Sequence, residues 1–303
     1  MLRWRLIIGT ALVALLLGLC WLDAHSTRPG VYLFPLALLL CALATDELLL
    51  MFRAGGHDPH KWATQAATLV TLLTACIPIA WPNTVKNSPV GSLGCLALGL
   101  VAGLAINIKT ELFRYASPGK TINRLAMGSF AVLYIGGLLG FLVQLRLLPI
   151  KGDLAYGGML ALFSMIAIVK FTDIGAYFGG RKWGRHKMAP VISPGKTWEG
   201  AASGLTLGVV VALFTLGPLA RMMGVPSERS WFVWLAGAIA YGLIVSAAGM
   251  IGDLAESLLK RDAGVKDSST WLPGFGGVLD LLDSLLFAAP VAYLLWISGI
   301  VGP

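Results

Sequence analysis

Apolar residues in this chain fall into long blocks separated by short polar clusters. A segment that crosses the hydrocarbon of a bilayer needs roughly 20 mainly apolar residues in helical form, because every backbone N–H and C=O must find its partner inside the segment. Blocks of this kind lie near residues 6–22, 31–52, 65–81, 89–108, 125–145, 155–178, 200–223, 231–254 and 284–302. The pattern predicts an all-α fold: a polytopic integral membrane protein of about nine transmembrane helices.

Composition agrees. Of 303 residues, 57% are hydrophobic and 13% charged, against about 45–50% and 25% in soluble domains. Arg3 and Arg5 precede the first apolar block, but no small-x-small cleavage site follows it and bulky Leu19 precedes Cys20, so an uncleaved first helix is expected. Cys20, Cys41, Cys76 and Cys95 lie in or beside apolar blocks without paired spacing, which suits inert packing residues.

The formal net charge is +8, from 23 Lys and Arg and 15 Asp and Glu. With nine spans, one side collects sixteen of the basic residues, among them Arg53, Lys61, Lys109, Arg181, Lys196 and Lys260; the other side holds Arg28, Lys86, Arg146, Lys151, Arg221 and Arg229. The positive-inside rule then puts the N-terminus in the cytoplasm and the C-terminus outside. Charge distributed this way is a topology signal and requires no nucleic acid as partner. No repeat, low-complexity tract or linker divides the chain. It reads as one continuous membrane domain, with N-terminal transmembrane helices over 1–150 and a C-terminal catalytic region over 151–303 whose cytoplasmic loops are 179–199 and 255–283.

Polar groups inside apolar blocks are the next pointer, since an ionised side chain at mid-bilayer costs at least about 2.5–3.5 kcal/mol unless a partner or cavity compensates. Lys170 and Asp173 stand three apart in one block and can share a helix face, either as a structural pair or as the wall of a polar cavity. Asp253, with Gly252 before it permitting close helix approach, begins a polar stripe that continues through Glu256 and Ser257. In the first half, Asp46, Glu47, His57 and His60 are assigned to helix-end capping and interfacial solvation. The ISPGKTWEG segment at 192–200 contains Gly195-Lys196-Thr197 but is no Walker A motif: Pro190 stands where the first glycine belongs, and no strand is expected ahead of it. A Pro-Gly turn presenting Lys196 and the hydroxyls of Ser193 and Thr197 before a helix start remains, and it suits either a phosphate or plain solvent.

Residues 253–284 are the richest segment. Lys260, Arg261 and Lys266 supply cations; Asp253, Asp267, Asp280 and Asp283 supply carboxylates. Hard carboxylate oxygens hold Mg²⁺ and cations neutralise phosphate, so this mixture suits a metal-bound polyphosphate. Asp280 and Asp283, three apart, can face one ion. Around Gly276-Gly277 the backbone can approach a nucleotide closely.

The run Ser257-x-x-Lys260-Arg261, four residues, Lys266-Asp267, then Leu272-Pro273-Gly274-x-Gly276-Gly277-Val278-x-Asp280-x-x-Asp283 resembles the signature of the phosphatidate cytidylyltransferases. SPGKTWEG at 193–200 and DIGAYFGGRKWGRHK at 173–187 resemble the same family, so the likeness covers the chain from about 165 onward. Two positions depart from the pattern: Phe275 stands where the family has His, and Leu281 where it has Arg.

The resemblance implies transfer of CMP from CTP to phosphatidic acid with release of pyrophosphate, in phospholipid biosynthesis at the cell inner membrane. The partners it implies are CTP, phosphatidic acid and membrane lipid, and a homodimer is compatible with it. It implies one or two Mg²⁺ ions at Asp253, Asp280 and Asp283, and Lys260, Arg261, Lys266 and Asp267 as catalytic groups. Substrate contacts fall to Ser193, Lys196, Thr197, Ser257, Gly276, Gly277, Asp173 and Lys170. A phosphate monoester is already an anionic nucleophile, so neutralisation and alignment matter more than a general base. The open alternatives are another CTP-dependent membrane lipid transferase or kinase, a cation-coupled transporter, and an inactive lipid-binding relative.

Overall fold

The computed structural model describes residues 2–86, 91–149, 154–225, 227–266, 268–269 and 276–302. A long helix stands at each of the nine apolar blocks: α1 (Leu2–Ala24), α2 (Leu33–Ala54), α3 (Lys61–Ala75), α4 (Gly91–Arg114), α5 (Thr121–Arg146), α6 (Leu154–Trp183), α7 (Trp198–Met222), α8 (Trp231–Asp262) and α9 (Val278–Ile297). Among the described residues seven of them, α2 and α4 to α9, are long and apolar enough to cross a membrane, and α3 has 15 residues. The protein is thus a multi-pass, all-α membrane protein, with the third block giving a helix shorter than a full span.

Residue chemistry explains the departures. The third block was expected at 65–81, but its helix begins at Lys61, capped by His60 Nδ1 accepting from Ala63 N at 3.0 Å, and ends at Ala75. Pro78 has no N–H to donate to Thr74 O, so the α3 ladder stops and the chain restarts as Ile77–Ala80, with the proline in its first turn, and Pro82–Lys86. Inside α7, Pro218 removes a ladder donor, and the helix widens into a π turn over Thr215–Leu219. The expected loop 179–199 holds more structure than an all-α reading allows: α6 continues to Trp183, and a hairpin pairs β1 (Lys187–Ala189) antiparallel with β2 (Ser193–Thr197). SPGKT is therefore mostly strand, with the turn at 190–192 ahead of it.

The chain divides into two compact units, one of residues 1–147 with 259–282 and one of 148–258 with 283–303. The signature segment 259–282 thereby groups with the N-terminal helices. Within this first unit, α3 is the interior helix and packs against α2, α4 and α5. Its buried face carries Thr64, Thr68 and Thr71 beside Ala67 and Leu72, and their hydroxyls are satisfied locally or across helices: Thr71 donates to Ala67 O at 2.9 Å and Gly99 O at 3.0 Å, and Thr45 to Thr68 Oγ1 at 3.1 Å. Hydroxyls bonded in this way join helices where lipid offers no hydrophobic drive for association. Arg146, which by its charge alone reads as a loop cation, is 2% exposed and its Nε donates to Asp23 Oδ2 at 2.7 Å. Asp23 also accepts from Gly30 N and Tyr32 N, each at 2.9 Å, and so fastens the connection between α1 and α2.

In the second unit α6 lies along α7, their small residues facing one another, and buried hydroxyls tie in the other helices. Thr172 of α6 meets Ser246 of α8 at 2.7 Å; Ser164 of α6 meets Tyr241 of α8 at 3.0 Å, and Trp296 Nε1 of α9 donates to Tyr241 Oη at 3.2 Å.

Candidate active site

Two clusters carry the chemistry foreseen from sequence, one in each unit. In the second unit, α6 brings Lys170 and Asp173, β2 brings Ser193 and Lys196, and α8 brings Asp253. The hairpin fixes Lys196. Glu199, in the first turn of α7, accepts from Arg185 N at 3.1 Å and meets His186 Nδ1 at 2.6 Å, while Thr197 caps α7 by accepting from Gly200 N at 3.1 Å. Thr197 is 5% exposed and its side-chain oxygen is engaged by that cap.

Lys196 Nζ, a buried nitrogen, lies 2.7 Å from Asp253 Oδ2 and forms an ion pair with it. Lys170 and Asp173 are looser partners, 4.0 Å apart. A cavity of ≈ 460 Å³ opens among Asp173, Ser193, Lys196 and Asp253, with Tyr177 and Arg181 on its wall. Arg181 Nη1 donates to Tyr177 Oη at 3.3 Å; the sequence reading had given neither residue a role.

Asp283 belongs to the same electrostatic neighbourhood: it is 7% exposed and interacts with the charges of Asp253 and Lys170. The close approach of α9 to α8 there depends on Gly252. A Cβ at that position would press on Asp283 O and on Ser284 Cα, so any larger residue would drive the two aspartates apart.

The first unit holds the second cluster. Lys260, at the end of α8, pairs with Asp280 at 2.5 Å, with side chains 15% and 13% exposed. Asp280 Oδ2 also accepts from Gly277 N at 2.7 Å, Ser268 Oγ at 2.7 Å and Ser268 N at 3.2 Å. Glu47 lies beside this group, buried on α2. It accepts from Val278 N at 2.9 Å and Leu279 N at 2.8 Å, and from the hydroxyls of Ser268 and Ser269 at 3.0 and 2.8 Å.

The expected trio Asp253, Asp280 and Asp283 is thus distributed: Asp253 and Asp283 lie in the unit of Lys196, and Asp280 engages Lys260 and the loop in the other. Arg261 and Lys266 are exposed, and Ser257 is half-buried. Gly276 and Gly277 are needed by the carboxylates beside them. Gly276 has φ +85°, in the left-handed region, and a Cβ at Gly277 would overlap Ser268 and Glu47. Asp267, Phe275 and the Leu272-Pro273-Gly274 run lie outside the described residues. Glu47 is the functional candidate that sequence reasoning missed; its one signal was a carboxylate inside an apolar block.

Among the described residues no group of three or more His, Cys, Asp or Glu side chains forms a ready-made metal cage. Mg²⁺ does not require one, because it commonly takes one or two carboxylates and completes its shell with water and substrate phosphate. Asp253 and Asp283 supply two hard oxygen donors beside a lysine, a set that fits a metal-bound polyphosphate.

A family model described as the Cytidylyltransferase family matches residues 3–298. Phosphatidate cytidylyltransferase of Haemophilus influenzae is 37% identical over 178 residues, 58% of this chain and 58% of that protein. The Bacillus subtilis protein of the same name is 36% identical over 175 residues, 58% of this chain and 59% of its own length. A third, from Brucella suis, is 35% identical over 237 residues, 78% of each chain. The chain therefore spans a little under three-fifths of the first two relatives and over three-quarters of the third. Since the family match runs from the first helix to the last, this chain belongs to the cytidylyltransferase family.

Proposed function

We propose that the protein is a phosphatidate cytidylyltransferase, converting CTP and phosphatidic acid into CDP-diacylglycerol and pyrophosphate. The observation that carries this reading is the cavity of ≈ 460 Å³ on which Lys196, Asp253 and Asp173 converge, with Lys196 paired to Asp253 at its edge. A lysine held at the edge of a polar cavity suits the oxygens of a phosphate. The names of the relatives supply the substrates.

The lipid phosphate attacks the α-phosphorus of CTP directly. Lys196 meets phosphate oxygens where charge accumulates, and Ser193 and Arg181 border the same cavity. Asp253 and Asp283 would hold one or two Mg²⁺ ions, which would withdraw charge from the triphosphate. Asp173 lines the polar wall, with Lys170 4.0 Å from it on the same helix, and Lys260 with Asp280 orders the signature segment. The acyl chains stay in the bilayer while the headgroup enters from the side. By the distribution of Lys and Arg, the N-terminus and the reaction lie on the cytoplasmic side of the inner membrane.

The test is product analysis with purified full-length protein in detergent, CTP, phosphatidic acid and Mg²⁺. CDP-diacylglycerol and pyrophosphate in equal amounts are expected. Lipid phosphorylation with release of CDP would make the protein a kinase, and solute flux through proteoliposomes without nucleotide turnover would make it a transporter.

A further inference from the structure

A buried carboxylate normally has a cation beside it. Glu47 is 5% exposed, lies in the apolar helix α2, and instead receives four neutral donors. Oε1 takes Val278 N and Ser269 Oγ; Oε2 takes Leu279 N and Ser268 Oγ. The two amides are the first two of α9, whose orphan N–H groups and dipole favour a negative charge. The preceding amide, Gly277 N, goes to Asp280, the third residue of the helix. The single proton of Ser268 Oγ is shared between the two carboxylates, at 2.7 Å from Asp280 and 3.0 Å from Glu47, so Glu47, Ser268 and Asp280 form one chain of contacts that reaches Lys260.

Oε1 of Glu47 receives two donors and Oε2 one donor and a shared hydroxyl, so the carboxylate is occupied by the start of α9 and the serines beside it. Gly277 fits because any side chain there would strike Glu47 and Ser268. We propose that Glu47 is a positioning residue. From a helix 231 residues away in sequence it anchors the start of α9 and the signature segment, and it sets the Lys260–Asp280 pair for the reaction. The role in turnover rests on the cytidylyltransferase reading; the anchoring does not.

The experiment compares wild type with Glu47→Gln and Glu47→Asp, full-length in detergent. Gln turns one acceptor into an N–H donor aimed at donors, and Asp keeps the charge but draws it back. Two quantities are read: hydrogen exchange of the peptide containing Val278 and Leu279, and the separate kcat and KM for CTP. Glu47→Gln is expected to speed that exchange at least tenfold and to lower kcat by about 10²-fold, the scale of a small misplacement of reacting groups. KM should stay within about threefold, the behaviour of a group that acts only on the transition state; Glu47→Asp should recover part of kcat. Ser269→Ala removes one donor and is the fallback if Glu47→Gln does not fold; it should raise exchange in the same peptide by a smaller factor. Unchanged exchange overturns the anchor. Faster exchange with wild-type kcat overturns the positioning role. Wild type lacking cytidylyltransferase activity defeats the reaction reading alone, while the exchange comparison still decides the anchor.

Discussion

Lys196 and Asp253 meet at 2.7 Å at the edge of the cavity, one carried by a short strand and the other by a long helix. Attraction holds the lysine in place, and of its three N–H bonds only one is needed by Asp253, so the others can serve a polyphosphate in the cavity. Replacing Lys196 by Ala should lower CDP-lipid formation by about 10²-fold or more, the loss typical of one electrostatic stabiliser. The double variant Lys196→Ala with Asp253→Ala should lose less than the product of the two single losses, because the residues are in contact. Steady-state rates of the three variants check both statements.

Asp283 and Asp280 stand three apart on α9 but keep different company, and magnesium titration should separate them. Asp253→Asn and Asp283→Asn are expected to raise the Mg²⁺ needed for half-maximal rate by at least about 10-fold, the scale that even outer-shell changes produce at metal sites. Asp280→Asn should lower the maximal rate by ~100-fold while leaving the Mg²⁺ requirement near wild type, because its carboxylate serves Lys260, Gly277 and Ser268. Equal Mg²⁺ shifts for all three would return Asp280 to the metal set.

Gly277→Ala forces a methyl group against Glu47 and Ser268. Overpacking of this kind costs about 1–3 kcal/mol, and here it also displaces the anchor of α9. A lower thermal midpoint in detergent together with reduced kcat is expected, and wild-type values for both would show that the space is open.

The Asp23–Arg146 pair is remote from the chemistry in its own unit and fully buried. Arg146→Ala leaves an unpaired buried carboxylate and should destabilise by roughly 3–5 kcal/mol. Detergent unfolding curves should shift while kcat per folded molecule stays constant.

Much of this was legible in the sequence, because lipid imposes length and apolarity on every crossing helix; among the described residues each apolar block carries a helix, and seven of these are long and apolar enough to cross. The Lys170–Asp173 pairing followed from helical spacing, and His60 does cap a helix as expected. Asp46 stands inside α2, two turns from its end, and pairs with Lys61 at the start of α3 at 2.5 Å, so it joins two helices and caps neither. The partners of Glu47 are backbone amides and serine hydroxyls more than 200 residues away, with no opposite charge to betray them. The hairpin was hidden for a different reason: three polar-edged residues paired with five, one of them proline, give no period-two pattern. Gly277 was read as room for a nucleotide, since a glycine does not reveal which neighbour requires the space.

Double-labelled CTP tests the central claim most directly. With label at the α-phosphorus, the purified protein, phosphatidic acid and Mg²⁺ should place that label in the lipid fraction, while label at the γ-phosphorus should leave as pyrophosphate. Label from the γ-phosphorus in lipid, with none from the α-phosphorus, would contradict the account.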